Sequence, residues 1–378
     1  MHVCKLIFVN QCLKDIVVNR FVKLLIVTVA VLLVGCETKK DREPSKRPEK
    51  KQIDFFKVEY ELKPYKLGER ILIEFTNLDT KNTIDSVQII SGNHVFSTLK
   101  KLRVFLSTKD LLLGQNSYSF KVYFSDKSTQ VKTRSIEIWA IKGPESLSYE
   151  VVNTYAHNVE SYTQGLQYHD GFLYEGTGQF GESSIQKINI KDGGALLTRD
   201  LPPHQFGEGI TIVDDKVYQL TWKSVSGYVY SLDSLQEIQS FYYPHNVEGW
   251  GLTYDGRKLI ISDGTDRLFF WNEPELTSHH FITVGDNEKT YRNINELEYV
   301  DGFIYANIYL GNDILKIDAE TGVVVAVIDF SSILSEEDKM SLEDPHGEVL
   351  NGIAYNPASQ TFYITGKDWP KLFEVKLF

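Results

Sequence analysis

The sequence has 378 residues, 42% of them hydrophobic and 24% charged, with a formal net charge of -11. That length accommodates two folded units, and the composition excludes a disordered chain or a multi-span membrane protein. The acidic balance argues against nucleic-acid binding, which needs a basic footprint, and serves solubility instead.

The first element is a leader. Cys4, Cys12 and Cys36 are the three cysteines, so the chain beyond Cys36 is expected to hold neither disulfides nor thiolate metal sites. The eleven residues Leu24 to Val34, apolar except for Thr28, follow Arg20 and Lys23. They are too few to cross a bilayer as a helix and fit the apolar region of a signal peptide. Leu33-Val34-Gly35-Cys36 resembles the bacterial lipobox, where cleavage before the cysteine leaves it as a lipid-bearing N-terminus. Residues 1–36 are therefore expected to be a lipoprotein signal peptide. The mature protein is then exported and held at a membrane by the Cys36 lipid alone, facing the periplasm or the cell surface. Residues 37–52, from ETKKDREPSKRPEKK onward, have almost nothing to bury and are expected to be a flexible charged tether.

Residues 53–143 carry short stretches of near-alternating residues, such as Phe56-Lys57-Val58-Glu59-Tyr60, Arg70-Ile71-Leu72-Ile73-Glu74-Phe75 and Tyr118-Ser119-Phe120-Lys121-Val122-Tyr123. About seven short strands separated by Gly, Asn, Asp and Ser predict a small antiparallel β-sandwich of the immunoglobulin or fibronectin type. It shows no catalytic constellation and reads as a spacer or docking module. Pro144 marks the boundary, and the second unit is expected over residues 147–378.

That second unit repeats a hairpin five times. The copies begin at Gln164-Gly165-Leu166, Glu208-Gly209-Ile210, Trp250-Gly251-Leu252, Asn295-Glu296-Leu297 and Asn351-Gly352-Ile353. Each is followed by a turn signal (Asp170-Gly171, Asp214-Asp215, Asp255-Gly256, Asp301-Gly302, Asn356-Pro357) and an apolar return strand. Taken from the second residue of each copy, the spacings are 44, 42, 45 and 56 residues. Periods in the forties with strand-rich units predict the four-stranded blades of a propeller, here with five blades. The long last interval holds Ser331 to Gly347, where Ser335-Glu336-Glu337-Asp338 predicts a short surface helix.

Equivalent positions in a closed ring share a height and a distance from its axis. The first-strand starts Gln164, Glu208, Trp250, Asn295 and Asn351 should therefore meet the return-strand ends Glu175, Trp222, Asp263, Tyr309 and Lys367 on one face. Tryptophans beside Glu, Asn and Lys suggest a pocket rather than a solvated rim.

Six segments then resemble one family. They are Tyr162-Thr163-Gln164-Gly165-Leu166, Phe206-Gly207-Glu208-Gly209, Gln219-Leu220-Thr221-Trp222-Lys223, Glu248-Gly249-Trp250-Gly251-Leu252-Thr253, Asn295-Glu296-Leu297-Glu298-Tyr299 and Gly366-Lys367-Asp368-Trp369-Pro370. In this order, over Tyr155 to Phe378, they are similar to the plant and bacterial glutamine cyclotransferases. The resemblance implies a five-bladed propeller that cyclises N-terminal glutamine of peptides or proteins to pyroglutamate without a cofactor or metal; no feature demands a dimer, and a monomer is expected. It puts general base and acid on Glu208, and oxyanion stabilisation on Asn295 or Lys367. It assigns Gln164, Tyr162, Phe206, Gln219, Trp222, Trp250 and Tyr309 to substrate binding. The chain departs from the family at Tyr162, usually phenylalanine, and at Tyr309, usually tryptophan, which bears on pocket shape more than on chemistry. The zinc-dependent animal glutaminyl cyclases have a different fold, so no metal requirement carries over. Two other readings are an inactive propeller that binds peptides or a partner protein, and a propeller hydrolase with a central metal on Glu208, Asn295, Asn351 and Asp263.

Overall fold

From residue 54 to residue 140, burial alternates along each extended segment, as expected of strands lying on a core. The structure is a computed structural model that describes residues 53–92, 94–243, 247–273 and 276–378. The signal peptide, Cys36 and the tether lie outside the described residues. Phe56–Glu59, Arg70–Asn77 and Arg103–Ser107 form one sheet. Tyr65–Lys66, Thr129–Trp139, Gly114–Phe124, Ile84–Ser91 and His94–Leu99 form another. Their inner faces share one core, with Ile71, Ile73 and Phe75 from the first sheet and Phe120, Val122 and Ile136 from the second. Among the described residues there are eight strands rather than about seven, and Tyr65–Lys66 runs parallel to Ile138 and Trp139. Two residues are too few for alternation to mark a strand in the sequence.

The passage to the second half is tight. Ala140 N–H donates to Asp286 O at 3.0 Å. Glu145–Leu147 already pairs, in parallel, with the outer strand Val324–Asp329 of a later sheet. That sheet thus gains its extra strand two residues ahead of the expected start at 147.

Among the described residues five sheets follow, each with four antiparallel strands, which in the first four sheets run in chain order from one edge. Sheets I to IV begin at Thr163–His169, Gly207–Val213, Leu252–Tyr254 and Ile294–Val300. Sheet V runs Leu350–Asn356, Thr361–Gly366, Lys371–Leu377 and then Tyr149–Ala156, so a strand from before sheet I completes the last sheet. The first strands pack against one another in succession, and the fifth packs against the first. Each neighbouring pair of sheets encloses its own apolar core. Tyr174, Ile185 and Ile210 lie between sheets I and II, and Leu166, Leu173, Tyr363 and Leu372 between V and I. Each large side chain buried this way contributes about 1.5–3 kcal/mol, so five interfaces rather than one central core hold the ring.

Local sequence explains the hairpins. Asp170-Gly171 and Asp301-Gly302 all have positive φ (47°, 85°, 49° and 87°), the tight-turn geometry that Asp-Gly favours between twisted strands. The helix Glu336–Ser341 is capped by Ser335, with Asp338 completing the capping box.

The starts of the first strands are not regular. Pairing shifts register at Gln164, Glu208, Asn295 and Asn351, a bulge in four of the five sheets. A bulge re-aims its side chain and bends the strand. Gly165 and Gly209 beside these positions let neighbouring first strands approach: a Cβ on either would stand 2.5 Å from the backbone nitrogen of the next sheet. In sheet IV the glycine is replaced by Glu296. Its fully buried carboxylate accepts Leu166 N–H of sheet I at 3.1 Å and Ile353 N–H of sheet V at 2.9 Å, tying three sheets together.

Candidate active site

Four strand-end segments and the bulges converge on one small cavity of about 210 Å³. The bulges deliver Gln164, Glu208 and Asn295; the loop before sheet III delivers Trp250. Trp222, Tyr309 and Lys367 stand immediately after the second strands of sheets II, IV and V. Tyr162 and Phe206 precede the first strands of sheets I and II. Nine of the ten residues expected at the site therefore line this cavity.

The walls form a belt. Tyr162 meets Phe206 edge-on (6.1 Å between centroids, 88°), and Phe206 meets Trp222 (5.8 Å, 62°). On the far side Trp250 meets Tyr309 (5.7 Å, 85°). Two charged groups bridge the gaps between these aromatic runs. Glu248 Oε2 accepts both indole N–H groups, from Trp222 at 2.8 Å and from Trp250 at 3.2 Å. Lys367 Nζ lies over the faces of Tyr162 and Tyr309, 4.4 and 5.1 Å from their centroids.

A carboxyl and an amine are buried at this belt. Glu208 is 4% exposed. Burial holds its pKa well above the ordinary carboxylate range; Lys367 opposes that rise and Glu248 reinforces it. Lys367 is 2% exposed and donates to Gln164 Oε1 at 2.6 Å. Burial lowers its pKa to about 8, against the pull of Glu208 and Asp368. Gln164 is held from behind by Asn351 Nδ2 at 3.3 Å. Asn295 is buried, and its Oδ1 has no hydrogen-bond partner among the described residues. A carboxyl with raised proton affinity, a buried ammonium, carboxamides and aromatic walls can together exchange protons with a small polar group and stabilise a developing oxyanion.

Some expected residues stand elsewhere. Gln219 does not line the cavity, because its carboxamide is used between sheets I and II: Nε2 donates to Ser184 O and Oε1 accepts from Tyr230 Oη, both at 3.2 Å. Glu175, expected on the ring face, lies inside its strand, bonded to His157 Nε2 and Thr163 Oγ1 at 3.0 and 2.6 Å. Asp263 is half-buried and turned to Thr265. In sheet I the cavity takes Gln179 instead, at a positive φ of 81° beyond the strand end. Its neighbour Gly178 leaves no room for a Cβ, which would lie 2.5 Å from Phe206 Cε1. Trp369 packs in the core between sheets IV and V. Among the described residues no group of three His, Cys, Asp or Glu is arranged to hold a metal.

Comparison with known proteins shows the family. A family model described as glutamine cyclotransferase matches residues 123–377. A glutaminyl-peptide cyclotransferase from Arabidopsis thaliana is 34% identical over 233 residues, covering 60% of this chain and 71% of that one. The crystal structure of the Myxococcus xanthus glutaminyl cyclase is similar with a TM-score of 0.58 and 35% identity, over 62% of this chain and 98% of that one.

Proposed function

The chain belongs to the glutamine cyclotransferase family, and from that premise we propose that it is a glutaminyl-peptide cyclotransferase, turning N-terminal glutamine of peptides or proteins into pyroglutamate with release of ammonia. The observation that carries this reading is the presence of Glu208 and Lys367, both buried, at one aromatic-walled cavity of single-residue size.

The reaction needs little more. The substrate carries its own nucleophile, so the enzyme's task is to hold the glutaminyl residue curled. An α-amine with a pKa of about 8 arrives mostly as an ammonium at neutral pH. Glu208 accepts a proton from it, helped by the raised proton affinity that burial confers. The freed amine attacks the side-chain carbonyl carbon and the N–C bond closes a five-membered ring. The bond to the carboxamide nitrogen then breaks as Glu208 returns the proton, so that the nitrogen leaves as ammonia, and the ring nitrogen passes its extra proton to the carboxylate of Glu208 so regenerated, which releases it to solvent. Asn295 or Lys367 stabilises the oxyanion. The tryptophans and Tyr309 pack the side chain and exclude water. Glu208 alone thus carries each proton transfer, and we read the chemistry as general acid/base catalysis without a metal.

We read the ring, residues 147–378, as a five-bladed propeller, supported by five sheets of four antiparallel strands, one with an added parallel strand, and a core between each consecutive pair. Residues 53–143 are read as an immunoglobulin- or fibronectin-like sandwich, on the strength of two sheets around one core. Residues 1–36 are read as a lipoprotein signal peptide and 37–52 as a tether, on their composition and the Cys36 motif. Lipid at Cys36 would then hold a monomeric enzyme at a membrane, acting on exported peptides.

The test is incubation of purified protein with a short peptide bearing N-terminal glutamine, followed by mass spectrometry. The expected result is loss of one ammonia faster than in buffer, unaffected by chelator. Glu208→Gln should be at least about 100-fold slower, the usual share of a general acid/base. Folded protein that gives no acceleration across several glutaminyl peptides would overturn the enzyme reading in favour of a peptide-binding propeller.

A further inference from the structure

We propose that Glu248 is a positioning residue that clamps Trp222 and Trp250 into a fixed slot for the glutaminyl side chain. This rests on the cyclotransferase reading of the cavity. The two indoles come from different sheets, one after the second strand of sheet II and one before the first strand of sheet III. No regular backbone ladder fixes their relative orientation. A tryptophan's outer side-chain torsion has a broad minimum, so edge contacts alone leave the ring free to rock. Here a single oxygen, Glu248 Oε2, receives both N–H groups, at 2.8 and 3.2 Å. A charged acceptor shared by two donors makes both bonds stronger than neutral ones and couples the two ring angles.

The backbone holding Glu248 is itself pinned. A Cβ at Gly249 would lie 2.5 Å from Tyr243 Oη and 3.0 Å from both Leu220 Cβ and Thr221 O, so the chain presses directly on the second strand of sheet II. Tyr243 Oη in turn donates to Thr221 O. The acceptor is thus fixed to sheet II while one of its two donors belongs to the approach to sheet III. Lys367 occupies the opposite gap in the aromatic belt, between Tyr162 and Tyr309.

Glu248 has a second influence, through charge. Lys367, Glu248 and the phenols of Tyr162 and Tyr243 are the titratable groups that interact with Glu208; Asp263 interacts with Glu248. Of the charges acting on Glu208, Lys367 favours the carboxylate and Glu248 opposes it. Removing the charge of Glu248 while keeping its oxygen separates positioning from electrostatics.

The experiment compares wild type, Glu248→Ala and Glu248→Gln in the full chain. It measures kcat and KM across pH for a glutaminyl peptide, together with tryptophan emission. Glu248→Ala should raise KM about tenfold, the worth of roughly 1.4 kcal/mol, and shift the emission as both indoles lose their acceptor. Glu248→Gln, whose carboxamide oxygen still accepts the indole N–H groups, should restore KM to within about threefold and restore the emission. Its acid limb of kcat/KM should move to lower pH, because Glu208 loses a like-charged neighbour. An alanine variant with wild-type KM and emission overturns the proposal. So does a glutamine variant as impaired in KM as the alanine one, since charge rather than indole geometry would then be what matters. If wild type binds the peptide without cyclising it, the cyclotransferase reading fails, and the same comparison made on Kd decides the clamp. If wild type neither binds nor cyclises it, the slot has no glutaminyl ligand and the proposal falls too.

Discussion

Lys367 bears the consequence of burial in its own titration. An ammonium removed from water is disfavoured, and its pKa falls to about 8 even with Glu208 and Asp368 nearby. As pH rises through 8 the charge on Nζ is lost. The 2.6 Å bond to Gln164 loses its ionic character, and so do the contacts with the faces of Tyr162 and Tyr309. The rate at saturating substrate should therefore decline with a midpoint near 8. A peptide amine titrates at about 8 as well, so the limb needs assigning. Lys367→Arg, which stays charged, should be slower but lack the enzyme's share of that limb. A limb unchanged in the arginine variant would belong to the substrate amine.

At the scale of the element, the starts of the first strands do two jobs with one device. The bulge aims Gln164, Glu208 or Asn295 at the cavity, and the adjacent small residue lets neighbouring strands close up. Sheet IV breaks the pattern with Glu296, which replaces close approach by two hydrogen bonds to sheets I and V. A glutamine there offers one oxygen for two buried N–H groups and turns its own N–H toward the other. Glu296→Gln should therefore lower unfolding stability by about 1–3 kcal/mol, the usual penalty of a stranded buried donor. Chemical denaturation would measure it, and an unchanged midpoint would show that the bridge is dispensable. The sequence carried the signal: glycine follows the motif residue in four copies and glutamate in the fourth of the five. What that glutamate touches was not legible, since its partners lie 130 and 57 residues away.

For the whole molecule, closure and buried charge set the conditions of stability. The ring is sealed by Tyr149–Ala156 completing a sheet otherwise built from the C-terminal end, so its last interface joins distant parts of the chain. Between sheets IV and V, Glu298 is buried and accepts Tyr355 N–H at 2.8 Å, yet burial raises its pKa to about 8. Folded protein keeps this proton where the unfolded chain, with a carboxyl pKa near 4.5, has released it. Its contribution is full below about 4.5 and is lost as pH rises toward 8. The melting temperature should therefore fall between pH 5 and 9 more in wild type than in Glu298→Gln, which has no proton to lose there. Equal slopes would mean that Glu298 is already ionised in the fold.

The sequence by itself determined the all-β class, the five repeats with their Asp-Gly turns, and nearly every side chain that lines the cavity. These are properties of local period and composition, and a ring of similar units converts sequence phase into spatial position. Tertiary structure alone decided the rest. It showed that Gln219 and Glu175 are spent in hydrogen bonds away from the cavity, that Gln179 turns into it, and that Glu248 joins two tryptophans across a sheet boundary. The reason is physical: a repeat fixes where a backbone position lies, whereas the direction of its side chain depends on bulges, strand ends and partners supplied by neighbouring sheets.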